Sequence, residues 1–151
     1  MIQLQVNGKN IPMEIALLQK VDAVDGVVKL LDYYERPDSF ILIMERPDPV
    51  TDLFDYITEH GFLSEDVARG FFRQILMTTM AVHRAGVVHR DLKDENVLVE
   101  RNSMQLKLID FGSGAFLRDT IYTEFEGEWS LVTSGALLSN RDVNRKSSFW
   151  F

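Results

Sequence analysis

Cysteine is absent from this 151-residue chain, which excludes a disulfide framework and any zinc site built on thiolates. Basic residues are in the minority, with 16 Lys and Arg against 23 Asp and Glu for a formal net charge of −7. The basic patch that supplies most nonspecific affinity for nucleic acid is therefore not expected, and a basic partner suits the chain better. Long hydrophobic runs are missing too. "FILIM" is far too short to cross a bilayer, and the opening "MIQLQVNGKN" has no apolar core of a signal peptide. No internal repeat or low-complexity tract occurs. These absences predict no nucleic-acid or membrane partner and a cytoplasmic location with the nucleus as a second compartment; a monomer is the accompanying expectation.

What is present is the composition of an ordinary globular domain, 46% hydrophobic and 26% charged. "NIPMEIALLQKV" places Ile11, Ile15, Leu18 and Val21 at near-helical spacing, with Asn10 as the expected cap and Pro12 in the first turn. "GVVKLLDYYE" and "SFILIME" are β-branched and aromatic, and the "RPD" between them is turn chemistry, so they predict a hairpin. "VTDLFDYITEHG" predicts a helix stopped at Gly61. "LSEDVARGFFRQILMTTMAVHRAG" predicts a longer one, capped by Ser64, with Glu65 and Asp66 at the positive end of the dipole and Gly86 at its close. Val67, Phe71, Ile75 and Leu76 are expected on one face, and Phe72, Met77 and Met80 as packing residues of the same helix. "NVLVE" and "QLKLID" predict a second hairpin. The expected order is helix, two strands, two helices, two strands.

Charge is densest in "HRDLKDEN". Asp91 is a carboxylate able to take a hydroxyl proton, Lys93 can hold a phosphate oxygen, and Asn96 offers an amide oxygen to a hard cation. A second acid, Asp110 of "LIDFGSG", follows on the far side of the expected hairpin, which can fold back so that both acids face one cavity. A base, a phosphate-binding lysine and two oxygen ligands suit phosphoryl transfer, where positioning and charge neutralisation do most of the catalysis. His60 and His83 have no second ligand at metal-site spacing and read as surface residues.

H-R-D-x-x-x-x-N followed by D-F-G resembles the paired motifs of eukaryotic protein kinases, and the lysine two places after Asp91 resembles the serine/threonine branch. "IPMEIALLQKV", "LLDYYERPDSFILIMERPDPVTDLFDYITE", "HRDLKDENVLVE" and "LKLIDFGSGAFLRDTIYTEFEG" are similar to the Pim family of serine/threonine kinases, over about residues 11 to 127. The discriminating stretch is "MERPDP": a proline, Pro47, stands where most kinase hinges keep a backbone N–H, so the hinge offers adenine one hydrogen bond fewer.

The resemblance implies an α+β fold, a partial kinase domain over residues 1–127 holding αC, two strands of the N-lobe and the first half of the C-lobe, followed by a non-homologous tail at 128–151. It implies ATP and Mg2+ as cofactors, Asp91 as catalytic base, Lys93 on the transferred phosphate, and Asn96 and Asp110 as magnesium ligands. Met44 would be the gatekeeper, Glu45 to Pro47 the hinge, and Leu98 and Ile109 the floor beneath adenine, with Asp52 also at the nucleotide. Asp52, Asp55 and Glu95 would form the negative surface that receives basic protein substrates. Glu14 corresponds to the αC glutamate that pairs with a strand lysine, and His89, Arg90, Phe111 and Gly112 would be structural. No G-x-G-x-x-G or lysine strand precedes Glu14 here, and "FGSG" opens the activation segment rather than a phosphate loop. After "YTEFEG" comes "EWSLVTSG" in place of A-P-E. The expectation is a chain of low or no activity, with a noncatalytic, partner-binding product as the alternative. Apolar residues of the long helix left in water would each forfeit roughly 1.5–3 kcal/mol, against a domain stability of about 5–15 kcal/mol, which weighs against independent folding.

Overall fold

A computed structural model describes residues 3–6 and 9–118, with side chains from residue 10 onward. The tail expected at 128–151, with the segment before it from residue 119, lies outside the described residues. Ahead of the first helix stands an antiparallel hairpin, β1 (Gln3–Val6) and β2 (Lys9–Pro12). Its ladder pairs Asn10 with Gln5, so Asn10 belongs to a strand and is not the helix cap expected from the sequence. Pro12 takes the cap position instead, at φ −54° and with no side-chain cap bond. Proline's fixed φ suits helix entry, where its missing N–H costs nothing.

The first helix, α1 (Met13–Lys20), buries Ile15, Leu17 and Leu18. The expected hairpin follows as β3 (Leu30–Glu35) and β4 (Phe40–Met44), antiparallel with Tyr33 opposite Leu42 and a bulge between Leu30 and Asp32. Its turn is closed by the Arg36 N–H on the Ser39 carbonyl at 2.8 Å. The inward residues Leu30, Tyr33, Phe40 and Leu42 pack on Ile11, Ile15 and Ala16.

"VTD" departs from the helical expectation. It forms β5 (Val50–Asp52), and the helix α2 (Leu53–His60) starts only after it. The reason is pairing: Val50, Thr51 and Asp52 lie opposite Glu100, Val99 and Leu98 of β7 (Val97–Glu100), while the Asp52 carboxylate caps α2 by accepting the Asp55 N–H at 2.8 Å. The long helix α3 (Glu65–Arg84) is capped by Ser64 as expected, and Gly86 follows its end at φ +81°, a conformation glycine adopts without steric cost.

Beyond α3 come β6 (Val87–Val88), a 3-10 turn at Asp94–Asn96, β7, β8 (Leu106–Leu108) and β9 (Ala115–Phe116). The strands β5, β7 and β8 form one antiparallel sheet, and β6 pairs with β9. Residues 26–28 add a parallel connection to β8, through the Leu108 N–H on the Gly26 carbonyl and the Val28 N–H on the Leu108 carbonyl. The core runs from Leu17 of α1 and Val21 just after it, through Phe71 and Val82 of α3, to Val99 and Phe111. On α3 the expected face is only partly buried. Phe71 is sealed, Val67 and Ile75 are half-buried, but Leu76 is exposed, as are Phe72, Met77 and Met80, none of which packs as expected. No helix among the described residues is long and apolar enough to cross a membrane.

Candidate active site

The "HRD" stretch leaves β6 and turns sharply. Arg90 has φ +67°, a conformation that costs a non-glycine residue free energy and persists only when neighbours impose it. Its guanidinium is tied to the start of the segment after "DFG", with Nε on the Ser113 carbonyl at 2.6 Å and Nη2 on that of Gly114 at 3.4 Å. Asp110 is likewise held at φ +62°. Its Oδ1 accepts the Gly112 N–H at 3.1 Å, the local bond that lets aspartate tolerate this region.

His89 connects these two turns. It is buried, its Nδ1 accepts the Asp91 N–H at 3.3 Å, and its Nε2 meets the Ile109 carbonyl at 2.9 Å. Those partners require the neutral ring with the proton on Nε2. Burial lowers its pKa below the ordinary 6.5, opposed by the Ile109 bond and the charges of Asp110 and Asp91. Phe111 is fully buried and meets the His89 ring edge-on at 4.7 Å between centroids.

Around Asp91 the arrangement is tight. Asn96 is buried and donates its Nδ2 to the Asp91 carbonyl at 2.9 Å and to Asp91 Oδ2 at 3.0 Å. Lys93 Nζ lies 3.5 Å from the same Oδ2. With Nδ2 committed, the Asn96 amide oxygen takes no hydrogen bond from a described residue, yet it is not sealed in apolar surroundings. An amide oxygen and the Asp110 carboxylate are hard donors of the kind Mg2+ takes, together with phosphate oxygens and water. The residues present therefore fit magnesium.

Glu14 of α1 is half-buried and shares the field of Asp110. Burial first, then the Asp110 charge, push its pKa above the ordinary carboxylate value. No cation is paired with it among the described residues.

The stretch expected to form the hinge leaves β4 at Met44, which is 44% exposed, and continues through Glu45 to Pro47. Leu98 and Ile109, the residues expected beneath adenine, are half-buried on β7 and just after β8. Asp52 lies opposite Leu98, which brings it to the floor side, although one of its oxygens is committed to the α2 cap. Asp55 and Glu95 are exposed on α2 and on the 3-10 turn, two elements that pack together.

Two side chains that tie elements together at the site carry no motif in the sequence. Gln74 of α3 donates Nε2 to the Met104 carbonyl and accepts the Leu106 N–H on Oε1, both at 3.0 Å, and so fixes the β7–β8 turn. Lys107 of β8 reaches Glu45 at 2.8 Å. The only signal for either was a polar residue in an apolar run.

The loop that carries Asp91, the β7–β8 hairpin and the turn that carries Asp110 are thus joined through His89 and Asn96. A model of the protein kinase domain matches residues 2–150. The chain is 41% identical to the serine/threonine-protein kinase prk-2 of Caenorhabditis elegans over 97% of its own length and 33% of that protein's. It is 45% identical to the serine/threonine-protein kinase pim-2 of Danio rerio, over 78% of this chain and 40% of that protein. A PAS domain-containing serine/threonine-protein kinase of Mus musculus is 37% identical over 93% of this chain and 10% of its own. The chain belongs to the protein kinase domain family, in an α+β arrangement that corresponds to part of such a domain. It spans 33% and 40% of the length of the first two relatives.

Proposed function

We propose that the chain carries the catalytic centre of a Pim-type serine/threonine kinase, which moves the ATP γ-phosphoryl group to hydroxyls of basic protein substrates. The observation that carries this reading is the closed network in which His89 joins Asp91 to Ile109 while Asn96 braces the Asp91 carboxylate. Such bracing holds a base in one orientation, and phosphoryl transfer depends on positioning above all.

In this reading Asp91 accepts the proton of the substrate hydroxyl as its oxygen bonds to phosphorus and ADP leaves. Lys93, already beside Asp91, supplies positive charge to the transferred group. Asn96 and Asp110 would hold magnesium, which neutralises phosphate charge when bound. Leu98 and Ile109 would exclude water below adenine. Support for the Pim assignment comes from Pro47 in the hinge and from the likeness to pim-2. Asp52, Asp55 and Glu95 would attract basic residues of the substrate.

A noncatalytic, partner-binding role has one observation in its favour, the absence of a cation paired with Glu14 among the described residues. Transfer of labelled phosphate from magnesium ATP to a basic peptide separates the two. A slow transfer abolished by Asp110→Ala is the expected result. Transfer indifferent to Asp110→Ala would sink the kinase reading, and no transfer by either protein would favour the noncatalytic one.

A further inference from the structure

Glu45 is bound more tightly to its surroundings than a hinge residue needs for chain connection. Its backbone N–H donates to the Lys29 carbonyl at 3.0 Å, and its Oε1 accepts the Lys29 N–H in return, also at 3.0 Å. The same Oε1 accepts from Lys107 Nζ at 2.8 Å, with the two side chains 21% and 30% exposed. Burial opposes the Glu45 charge, but the bonds from Lys107 and Lys29 outweigh it and hold the carboxyl below the ordinary range. Lys29 is itself anchored, since its Nζ donates to the Asp22 carbonyl and residues 26–28 bond to Leu108.

Lys107 stands directly opposite Leu98 in the β7–β8 ladder. Directly opposed residues project from the same face of a sheet. The ammonium that grips the hinge therefore rises beside the side chain expected beneath adenine.

We propose that Lys107 and Glu45 form a clasp that fixes the hinge at one height above the Leu98 floor, making Lys107 a positioning residue for the nucleotide. The proposal rests on the kinase reading for the identity of its ligand, but not for the clasp itself. A hinge with Pro47 has fewer N–H groups to offer adenine. Its remaining contacts then depend more on where the backbone is held, and the ion pair supplies that constraint from the opposite wall.

Two measurements on the 151-residue chain test it. Hydrogen–deuterium exchange at the Lys29 and Glu45 amides reads the clasp without nucleotide, with the Phe71 amide in the core as a control for folding. Binding of a fluorescent N-methylanthraniloyl ATP with magnesium reads the pocket. Loss of one charge-assisted hydrogen bond in Lys107→Met should speed exchange at both amides and weaken nucleotide binding, each by about tenfold. Lys107→Arg should restore both, and Lys107→Gln, which keeps an N–H for Glu45, should fall between. If Lys107→Met fails the Phe71 control, the comparison of Lys107→Gln with Lys107→Arg decides. Unchanged exchange at Lys29 and Glu45 would overturn the clasp, and faster exchange with unchanged nucleotide affinity would overturn its positioning role. No nucleotide binding by the unaltered chain would overturn the kinase reading and the positioning role together, leaving the clasp to be decided by exchange alone.

Discussion

The side-chain amide of Asn96 holds Asp91 twice, at its carbonyl and at its carboxylate. Asn96 is buried, so its removal takes both bonds from the partly buried Asp91 and leaves its carboxylate only the longer contact with Lys93 at 3.5 Å. Unmaking such bonds costs about 1–3 kcal/mol. Asn96→Ala should lower the unfolding free energy by about that amount, read as a reduced urea midpoint with unchanged slope. A midpoint equal to that of the unaltered chain would show that the Asn96 bonds do not brace the loop.

His89 predicts a pH dependence whose sign follows from its partners. Its folded pKa is lowered from 6.5, so the folded state binds fewer protons than the unfolded chain as pH falls through 6.5. Stability is complete above that value and declines below it, until the folded ring is itself protonated. Protonation puts a hydrogen on Nδ1, which then cannot accept the Asp91 N–H. Nitrogen NMR of the ring should show the Nε2–H tautomer at neutral pH and a midpoint below 6.5. A midpoint above 6.5 would contradict the burial argument.

The hairpin of β3 and β4, the helices α2 and α3 and the strands flanking "RNSM" were legible because each carries its own period and its own punctuation. Ser64 and Gly86 sit where sequence placed them. What was not legible depended on pairing across the chain. Val50–Asp52 continues the helical spacing of α2, yet Val99 and Leu98 pull it into a sheet. Asn10 is a good cap by residue type, but a ladder partner at Gln5 claims it. The candidate site divides the same way. "HRDLKDEN" and "DFG" announce Asp91, Asn96 and Asp110 through local spacing. Gln74 and Lys107 gain their partners only because α3 and Glu45 lie against the β7–β8 hairpin, a relation no window of sequence contains.

Glu14 and Asp110 place two acids in one field. Because the folded pKa of Glu14 is raised, the folded state holds its proton more strongly than the unfolded chain does. Its contribution is favourable below the ordinary value of 4.5 and is lost as pH rises through the folded pKa. Glu14→Gln keeps the shape without the charge, so it should raise the melting temperature at pH 7. The side chain is half-exposed and solvent screens it, which limits the gain to a few degrees at most, the shift that about 1 kcal/mol or less produces in a domain of this size. Near pH 4 and below, the two proteins should melt together. A destabilised Glu14→Gln at neutral pH would mean that Glu14 has a cationic partner in solution.

Phe71 and Phe72 are neighbours on α3 with opposite environments. Phe71 is 4% exposed and meets Tyr56 edge-on at 5.7 Å, whereas Phe72 is 60% exposed. Truncating a buried phenylalanine removes its transfer free energy and leaves a cavity, about 3–5 kcal/mol in total. A surface truncation away from special features stays within about 0.5 kcal/mol. Phe71→Ala should therefore abolish most of the stability of this chain, and Phe72→Ala should scarcely alter its urea midpoint. Phe72 stands with Leu76, Met77 and Met80 among the exposed apolar residues of the same helix, and exposed apolar groups of this kind promote association. Phe72→Gln should consequently reduce concentration-dependent light scattering without changing the melting temperature. Equal destabilisation by Phe71→Ala and Phe72→Ala would show instead that both rings are buried in solution, by self-association or by chain packed on the outer face of α3.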